Sequence, residues 1–114
     1  MDTTSTSTPK SRIPTTDEFL LGLKVFDAFL QARLDLAQLF FRNRKFDEAK
    51  ALYLDVIKTN PKERDAYFNM GVLLSEAMGK TGEAIPFFNK AIEMDPNDTA
   101  ARRFLERAQA KKRK

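Results

Sequence analysis

The feature that most constrains the fold of this chain is an apolar pattern that occurs twice, 34 or 35 residues apart. In the downstream copy, two runs of apolar and small residues flank the polar corner Gly79-Lys80-Thr81-Gly82. The first run holds Tyr67, Met70, Gly71 and Leu74, and the second holds Ala84, Ile85, Phe88, Ala91 and Ile92. Spacings of three and four place each run on one side of a helix. Two helices joined by a short glycine-containing corner are predicted to pack antiparallel.

The upstream copy holds equivalent residues in the same order. Leu36, Ala37 and Phe40 precede Met70, Gly71 and Leu74 by 34 residues, whereas Ala49, Tyr53, Val56, Ile57 and Pro61 precede their equivalents by 35. The downstream copy therefore contains a one-residue insertion between Leu74 and Ala84. A period of this length predicts stacked helix pairs rather than one closed core.

These residues resemble the tetratricopeptide repeat, whose signature is an aromatic residue, Leu-Gly and Tyr, followed by Ala, Phe and Pro. The second copy matches at Tyr67, Met70, Gly71, Ala84, Phe88 and Pro96, with Leu74 in place of Tyr. The first copy matches at Leu36, Ala37, Phe40, Ala49, Tyr53 and Pro61, with Arg33 in place of the first aromatic. The resemblance covers about residues 30–96. It implies an all-α fold in which antiparallel helix pairs stack as a short right-handed solenoid.

The same reading divides the chain into three parts. A tail over residues 1–14 is expected to be disordered, because it is rich in Ser and Thr and poor in apolar residues. The repeat domain is expected over residues 15–110, with repeats at about 30–63 and 64–98 and a capping helix at 99–110. A basic tail follows over 111–114. With no apolar secretory segment after the start, a cytoplasmic location is expected, and the basic sequence KKRK leaves nuclear import as an alternative.

The helix boundaries can be predicted from local signals. Thr15 and Glu18 have the spacing of a capping box, so a helix is predicted to begin at residue 16. It can run unbroken to about residue 43, or break near Asp27. Further helices are predicted over residues 48–59, capped by Asp47, and over 64–78 and 83–94. Pro86 is expected about four residues into its helix, where it removes no intrahelical hydrogen bond.

The segment before residue 30 is the most apolar in the chain. Apolar residues cover well over half of its helical circumference, whereas an ordinary surface helix has an apolar stripe of about 100°. The segment is shorter than the roughly 20 residues that a membrane span needs. Two interpretations stay open: it folds back to cap its own repeats, or it buries one side on another chain, including a second copy. The candidate contact residues are Phe19, Leu21, Leu23, Val25, Phe26 and Phe29.

The resemblance also implies a binding site. In tetratricopeptide repeats, the first helices of successive units line a concave groove that holds an extended peptide or a helix of another protein. The corresponding residues are Leu34, Gln38, Phe41, Arg42, Phe68, Asn69, Val72, Glu76, Arg103, Phe104 and Arg107. One subclass binds acidic C-terminal tails through a carboxylate clamp, and this chain matches that clamp at Asn69. Leu34, Gln38, Ala100 and Phe104 stand at the other clamp positions, so this specificity is not expected.

The residue composition argues against several classes of enzyme. The 114 residues include no cysteine and no histidine, which removes thiolate chemistry and the commonest general base and zinc ligand. Gly79-Lys80-Thr81 lacks the first glycine and the preceding strand of a phosphate loop. We therefore expect no enzyme activity and no cofactor. The leading hypothesis is a protein–protein interaction module, either an adaptor or a small subunit of a complex.

The alternative hypothesis is a nucleic-acid-associated protein. Residues 101–114 hold seven Lys or Arg and one Glu, a net charge of +6, whereas residues 1–100 have a net charge of −2. The basic character therefore belongs to the C-terminal helix and tail. No aromatic residue is interleaved with the tail charges, which disfavours stacking on bases.

Overall fold

The computed structural model describes residues 15–113. Over these residues the chain forms helices and no strand: α1 (Thr16–Arg42), α2 (Phe46–Thr59), α3 (Arg64–Val72), α4 (Thr81–Met94) and α5 (Thr99–Arg113). Each helix packs on the next one along the chain. The predicted all-α class is confirmed. The expectations for residues 1–14 and for residue 114 lie outside the described residues.

α1 is one continuous helix of 27 residues, without a break at Asp27. Its start carries the predicted capping box: the Glu18 amide donates to Thr15 Oγ1 at 3.2 Å, and the Thr15 amide donates to Glu18 Oε1 at 2.9 Å. At about 1.5 Å per residue, α1 is roughly 40 Å long. This is much longer than the other helices, so α1 extends beyond the helix pair that it forms with α2.

The core consists of the apolar residues that recur in the repeat pattern. Tyr53 and Phe88 occupy equivalent places in α2 and α4, and both are almost completely buried. Small residues in the neighbouring helices allow close packing around these rings. At Gly71, a Cβ atom would lie only 2.7 Å from the nearest ring carbon of Phe88. The pattern therefore calls for glycine at this position because α3 and α4 approach closely.

The starts of two helices differ from the predictions. α2 begins at Phe46 with Lys45 as N-cap and no side-chain cap, so the prediction that Asp47 caps this helix is wrong. α4 begins at Thr81 rather than at residue 83, which places Pro86 in its second turn. An amide at that position would normally donate to the Gly82 carbonyl, so Pro86 does remove an intrahelical hydrogen bond.

The one-residue insertion is accommodated by a turn of π-helix. α3 continues into Leu73–Ala77, which has π-helical geometry. The Met78 amide donates to the Leu73 carbonyl, five residues earlier, at 3.0 Å. A π turn absorbs one extra residue inside a helix without rotating the residues on either side. The equivalent residues Ala49 and Ala84, and Tyr53 and Phe88, are accordingly buried in both pairs despite the different spacing. We call Leu73–Ala77 the π turn below.

The N-terminal half of α1 contributes no buried residue to the fold. Every residue from 15 to 29 is exposed, and Leu30 is the first buried residue of the helix. The segment thus does not fold back over the repeats, in contrast to one of the two interpretations left open by the sequence. Within residues 15–113, no helix has both the length and the apolar content needed to cross a membrane.

Candidate protein-binding surfaces

A pocket of about 310 Å³ opens where α1, α2 and α3 meet. Its lining consists of Gln38, Phe41, Arg42, Tyr53, Asn69 and Val72, and we call it the groove pocket. Five of these six residues belong to the set that the resemblance assigned to a concave groove. The sixth, Tyr53, forms the floor from α2. The pocket lies between α1 and α3, the first helices of the two pairs, and Tyr53 of α2 closes it.

The chemistry of the groove pocket suits a polypeptide segment. Gln38 and Asn69 bring amide groups that can both donate and accept hydrogen bonds, as a peptide backbone requires. Phe41 and Val72 add apolar surface, and Arg42 adds a positive charge. Burial raises the pKa of Tyr53 to about 12, so its hydroxyl keeps its proton well into the alkaline range.

An adjoining cavity extends this surface toward the π turn. It is lined by Phe41, Arg42, Arg44, Phe46, Glu76 and Ala77, and its volume is about 410 Å³. Arg44 adopts a positive φ of 63° in the α1–α2 connection. This geometry brings its guanidinium over the Phe46 ring, at 5.6 Å from the ring centroid. Sequence reasoning did not identify Arg44, Phe46 or Ala77 as candidate groove residues.

Three of the proposed groove residues are used by the fold itself. Leu34 is only 3% exposed and lies in the core among the other buried residues. The half-buried rings of Phe68 and Phe104 lie edge to face at 5.5 Å, and both pack on Phe88. A ligand in the groove pocket could therefore contact Phe68 and Phe104 only at their exposed parts, and it could not reach Leu34 without a rearrangement of the core.

The remaining groove candidates lie near α5. The Arg107 guanidinium and the Lys111 ammonium each lie 3.2 Å from a different carboxylate oxygen of Glu76. The Arg107 guanidinium also stands 5.1 Å from the centroid of the Phe104 ring. These contacts tie the π turn to α5, and they satisfy Glu76 and Arg107 within the chain. Arg103 is exposed on α5.

The N-terminal half of α1 is a second candidate surface. The six residues assigned to it from the sequence are all exposed, by between 39% and 63%. Isolated exposed apolar residues are common on proteins, but a contiguous set of this kind usually marks an interaction site. Across the described part of the chain, the His, Cys, Asp and Glu positions form no cluster able to hold a metal ion.

Comparison with known proteins agrees with the helix-pair geometry. The family described as tetratricopeptide repeat matches residues 34–99, which is more than half of the chain. These residues include α2, α3, α4 and the last third of α1, but not the N-terminal half of α1. No curated protein matches the chain.

Proposed function

Because the chain belongs to the tetratricopeptide-repeat family, we propose that it is a non-catalytic adaptor or small complex subunit that binds a segment of another protein. Repeats of this family generally mediate protein–protein interaction. The groove pocket is the observation that supports the proposal most directly, because it combines amide groups, apolar surface and one cation between successive first helices. A peptide can satisfy its backbone at the two amides and place a side chain against Phe41 and Val72.

A pair of substitutions in α3 tests the groove pocket. The double variant Asn69→Ala and Val72→Ala removes one amide and trims one apolar side chain from the lining. The control, Asn89→Ala and Ile92→Ala, removes an amide and trims a slightly larger apolar side chain at the same spacing on α4, away from the groove pocket. Circular dichroism should show that both variants keep their helices.

Affinity purification followed by mass spectrometry compares the three chains. The wild type and the control should recover the same partner, while the groove variant should recover about tenfold less of it. Loss of two central contacts commonly costs at least the 1.4 kcal/mol or so that corresponds to this factor. Equal recovery by all three chains would mean that the partner binds outside the groove pocket.

The N-terminal half of α1 provides a second contact surface in this proposal. Its apolar residues are exposed on all sides of the helix. Fully burying one Phe or Leu side chain is worth about 1.5–3 kcal/mol. Covering even a few of them would therefore contribute substantially to an association.

Nucleic-acid association through α5 is the second candidate function. It is favoured by Arg103, Lys112 and Arg113, which are exposed at the C-terminal end of the fold. It is disfavoured by the pairing of Arg107 and Lys111 with Glu76, which neutralises part of the positive charge. Affinity for duplex DNA that falls steeply between about 50 and 200 mM salt would support this candidate over the adaptor function.

A further inference from the structure

The outer side of α1, opposite its contact with α2, carries an uncovered apolar stripe along most of the helix. At about 100° per residue, this side lies roughly 180° from the buried residues Leu30, Leu34 and Ala37. The outer stripe consists of Leu21, Val25, Ala28, Ala32, Leu36 and Leu39, all of which are exposed. It continues into the first repeat, where Leu36 and Leu39 are still 42% and 49% exposed. The apolar surface that no other part of the fold covers thus extends along most of α1 and is not confined to its N-terminal half.

The side-chain sizes in the outer stripe are arranged symmetrically about a point near residue 30. Leu21 and Leu39 stand at the two ends, and Ala28 and Ala32 stand on either side of the centre. An antiparallel copy of the stripe would place Leu21 opposite Leu39 of the second copy, and Ala28 opposite Ala32. Two small residues at the centre would allow the backbones to approach, while the larger ends would interdigitate.

The charges along one edge of the outer stripe share nearly the same centre. Asp17, Lys24, Asp35 and Arg42 are exposed and lie within about 20° of one another around the helix axis. Their signs alternate along the helix, starting with a negative charge. An antiparallel copy would set Asp17 opposite Arg42 and Lys24 opposite Asp35, and two-fold symmetry would repeat each pair. In a parallel two-fold pair this edge would instead lie against the opposite edge of the partner's stripe, so the four charges would not face one another.

We propose that the outer stripe binds the outer stripe of a second copy of this chain, with the two α1 helices antiparallel about a two-fold axis near residue 30. This proposal rests on the proposed function of α1 as a contact surface and specifies what occupies that surface. A two-fold interface must be complementary to itself. The apolar sizes and the charges both meet this requirement about nearly the same centre, which a surface for an unrelated partner does not need to do.

The groove pocket lies on another side of α1, so a dimer of this kind leaves it accessible. Gln38 and Phe41 point away from the outer stripe by roughly 120° or more around the helix. Arg42 borders both surfaces. A dimer would therefore present two groove pockets, one on each copy, and would bring the acidic Asp17 of the partner copy close to Arg42.

Exchange of one charge pair tests both the contact and its direction. Lys24→Glu would place two acidic residues opposite each other at two symmetric places, and Asp35→Lys would do the same with two basic residues. We expect each single variant to weaken dimerisation about tenfold, given the modest worth of an exposed ion pair and the doubling by symmetry. The double variant Lys24→Glu and Asp35→Lys restores opposite charges and should return the dissociation constant to within about threefold of the wild type.

Light scattering after size exclusion, over a dilution series, gives the dissociation constants. The wild type should show twice the chain mass of 13.1 kDa. Control variants with the same charge changes on exposed residues elsewhere, Lys62→Glu and Glu106→Lys, should dimerise as the wild type does. Circular dichroism should show that all the chains keep their helices.

Three outcomes of the light-scattering measurements would contradict the proposal. A wild-type chain that is monomeric at high micromolar concentration would overturn the proposal. Single variants that dimerise normally, or a double variant no stronger than either single one, would overturn the antiparallel arrangement. The groove variant Asn69→Ala and Val72→Ala should dimerise normally. Because light scattering uses the purified chain alone, failure of the dimer would leave the test of the groove pocket unaffected.

Discussion

At the scale of single residues, Gly71 and Gly22 occupy opposite environments within helices. A methyl group at Gly71 would press on the Phe88 ring, which is itself buried and stacked on Phe104. Gly71→Ala is therefore expected to lower the free energy of unfolding by about 1–3 kcal/mol, although alanine favours helix. Gly22→Ala has open space around it and should increase the helical circular dichroism without loss of stability. Urea unfolding measures the difference, and a stabilised Gly71→Ala variant would show that Phe88 moves aside freely.

Tyr53 makes stability depend on pH in the alkaline range. Burial raises the pKa of Tyr53 from 10.0 to about 12, so between these values the folded chain keeps a proton that the unfolded chain releases. The contribution of Tyr53 to stability is therefore constant below pH 10 and falls as the pH rises from 10 to 12. Tyr53→Phe should lose less stability than the wild type over this interval, measured by urea unfolding at several pH values. Parallel curves for the two chains would contradict the proposed origin in Tyr53.

At the scale of secondary-structure elements, the π turn predicts where the chain tolerates a deletion. Removing Ser75 restores the spacing of the first copy and lets α3 continue as a regular α-helix. It also removes a buried hydroxyl, Ser75 Oγ, which has no hydrogen-bond partner in the structure. We expect the deletion to keep the fold and the thermal midpoint of unfolding, since an unpaired buried polar group costs about 1–3 kcal/mol.

Deletion of Lys90 provides the matched comparison for this prediction. Lys90 is exposed in α4, but its removal would rotate the buried Ala91 by about 100° relative to Phe88. This variant should lose its cooperative thermal transition. If both deletions unfold the chain, the π turn does more than absorb the extra residue.

Features of these helices that depend on residues close together in the sequence could be predicted, whereas features that depend on contacts between helices could not. The capping box of Thr15 and Glu18 and the pairing of helices could be predicted, because they follow from neighbours three or four residues apart. The start of α2 was not predicted: Phe46 lies in its first turn and packs edge to face on Phe41 of α1 at 5.8 Å, a contact between two helices that capping signals do not describe. Leu34 was assigned to the groove by its repeat position, but its direction depends on how α1 is rotated against α2.

At the scale of the whole molecule, the exposure of the first half of α1 predicts that the repeats do not need it to fold. A chain that lacks residues 1–28 should unfold with the same free energy as the wild-type monomer, to within about 1 kcal/mol, because Leu30 is the first buried residue. If α1 also pairs two copies, the thermal midpoint of the full chain should rise with protein concentration, whereas that of the shortened chain should not. Scanning calorimetry at several concentrations measures both effects. A large loss of stability on truncation would show that the segment supports the repeats.

The continuity of α1 has a geometric consequence for anything bound at its two ends. One rigid helix carries both the residues around position 20 and the groove pocket, so it sets the twist between them as well as their separation. An insertion of one residue between Asp27 and Leu30 would turn one surface by about 100° relative to the other, whereas four inserted residues would come within about 40° of a full turn. The relative orientation of two chains bound at these surfaces therefore depends on the number of residues between them in α1. Inserting close to a whole helical turn should preserve this orientation, whereas a shorter insertion should change it.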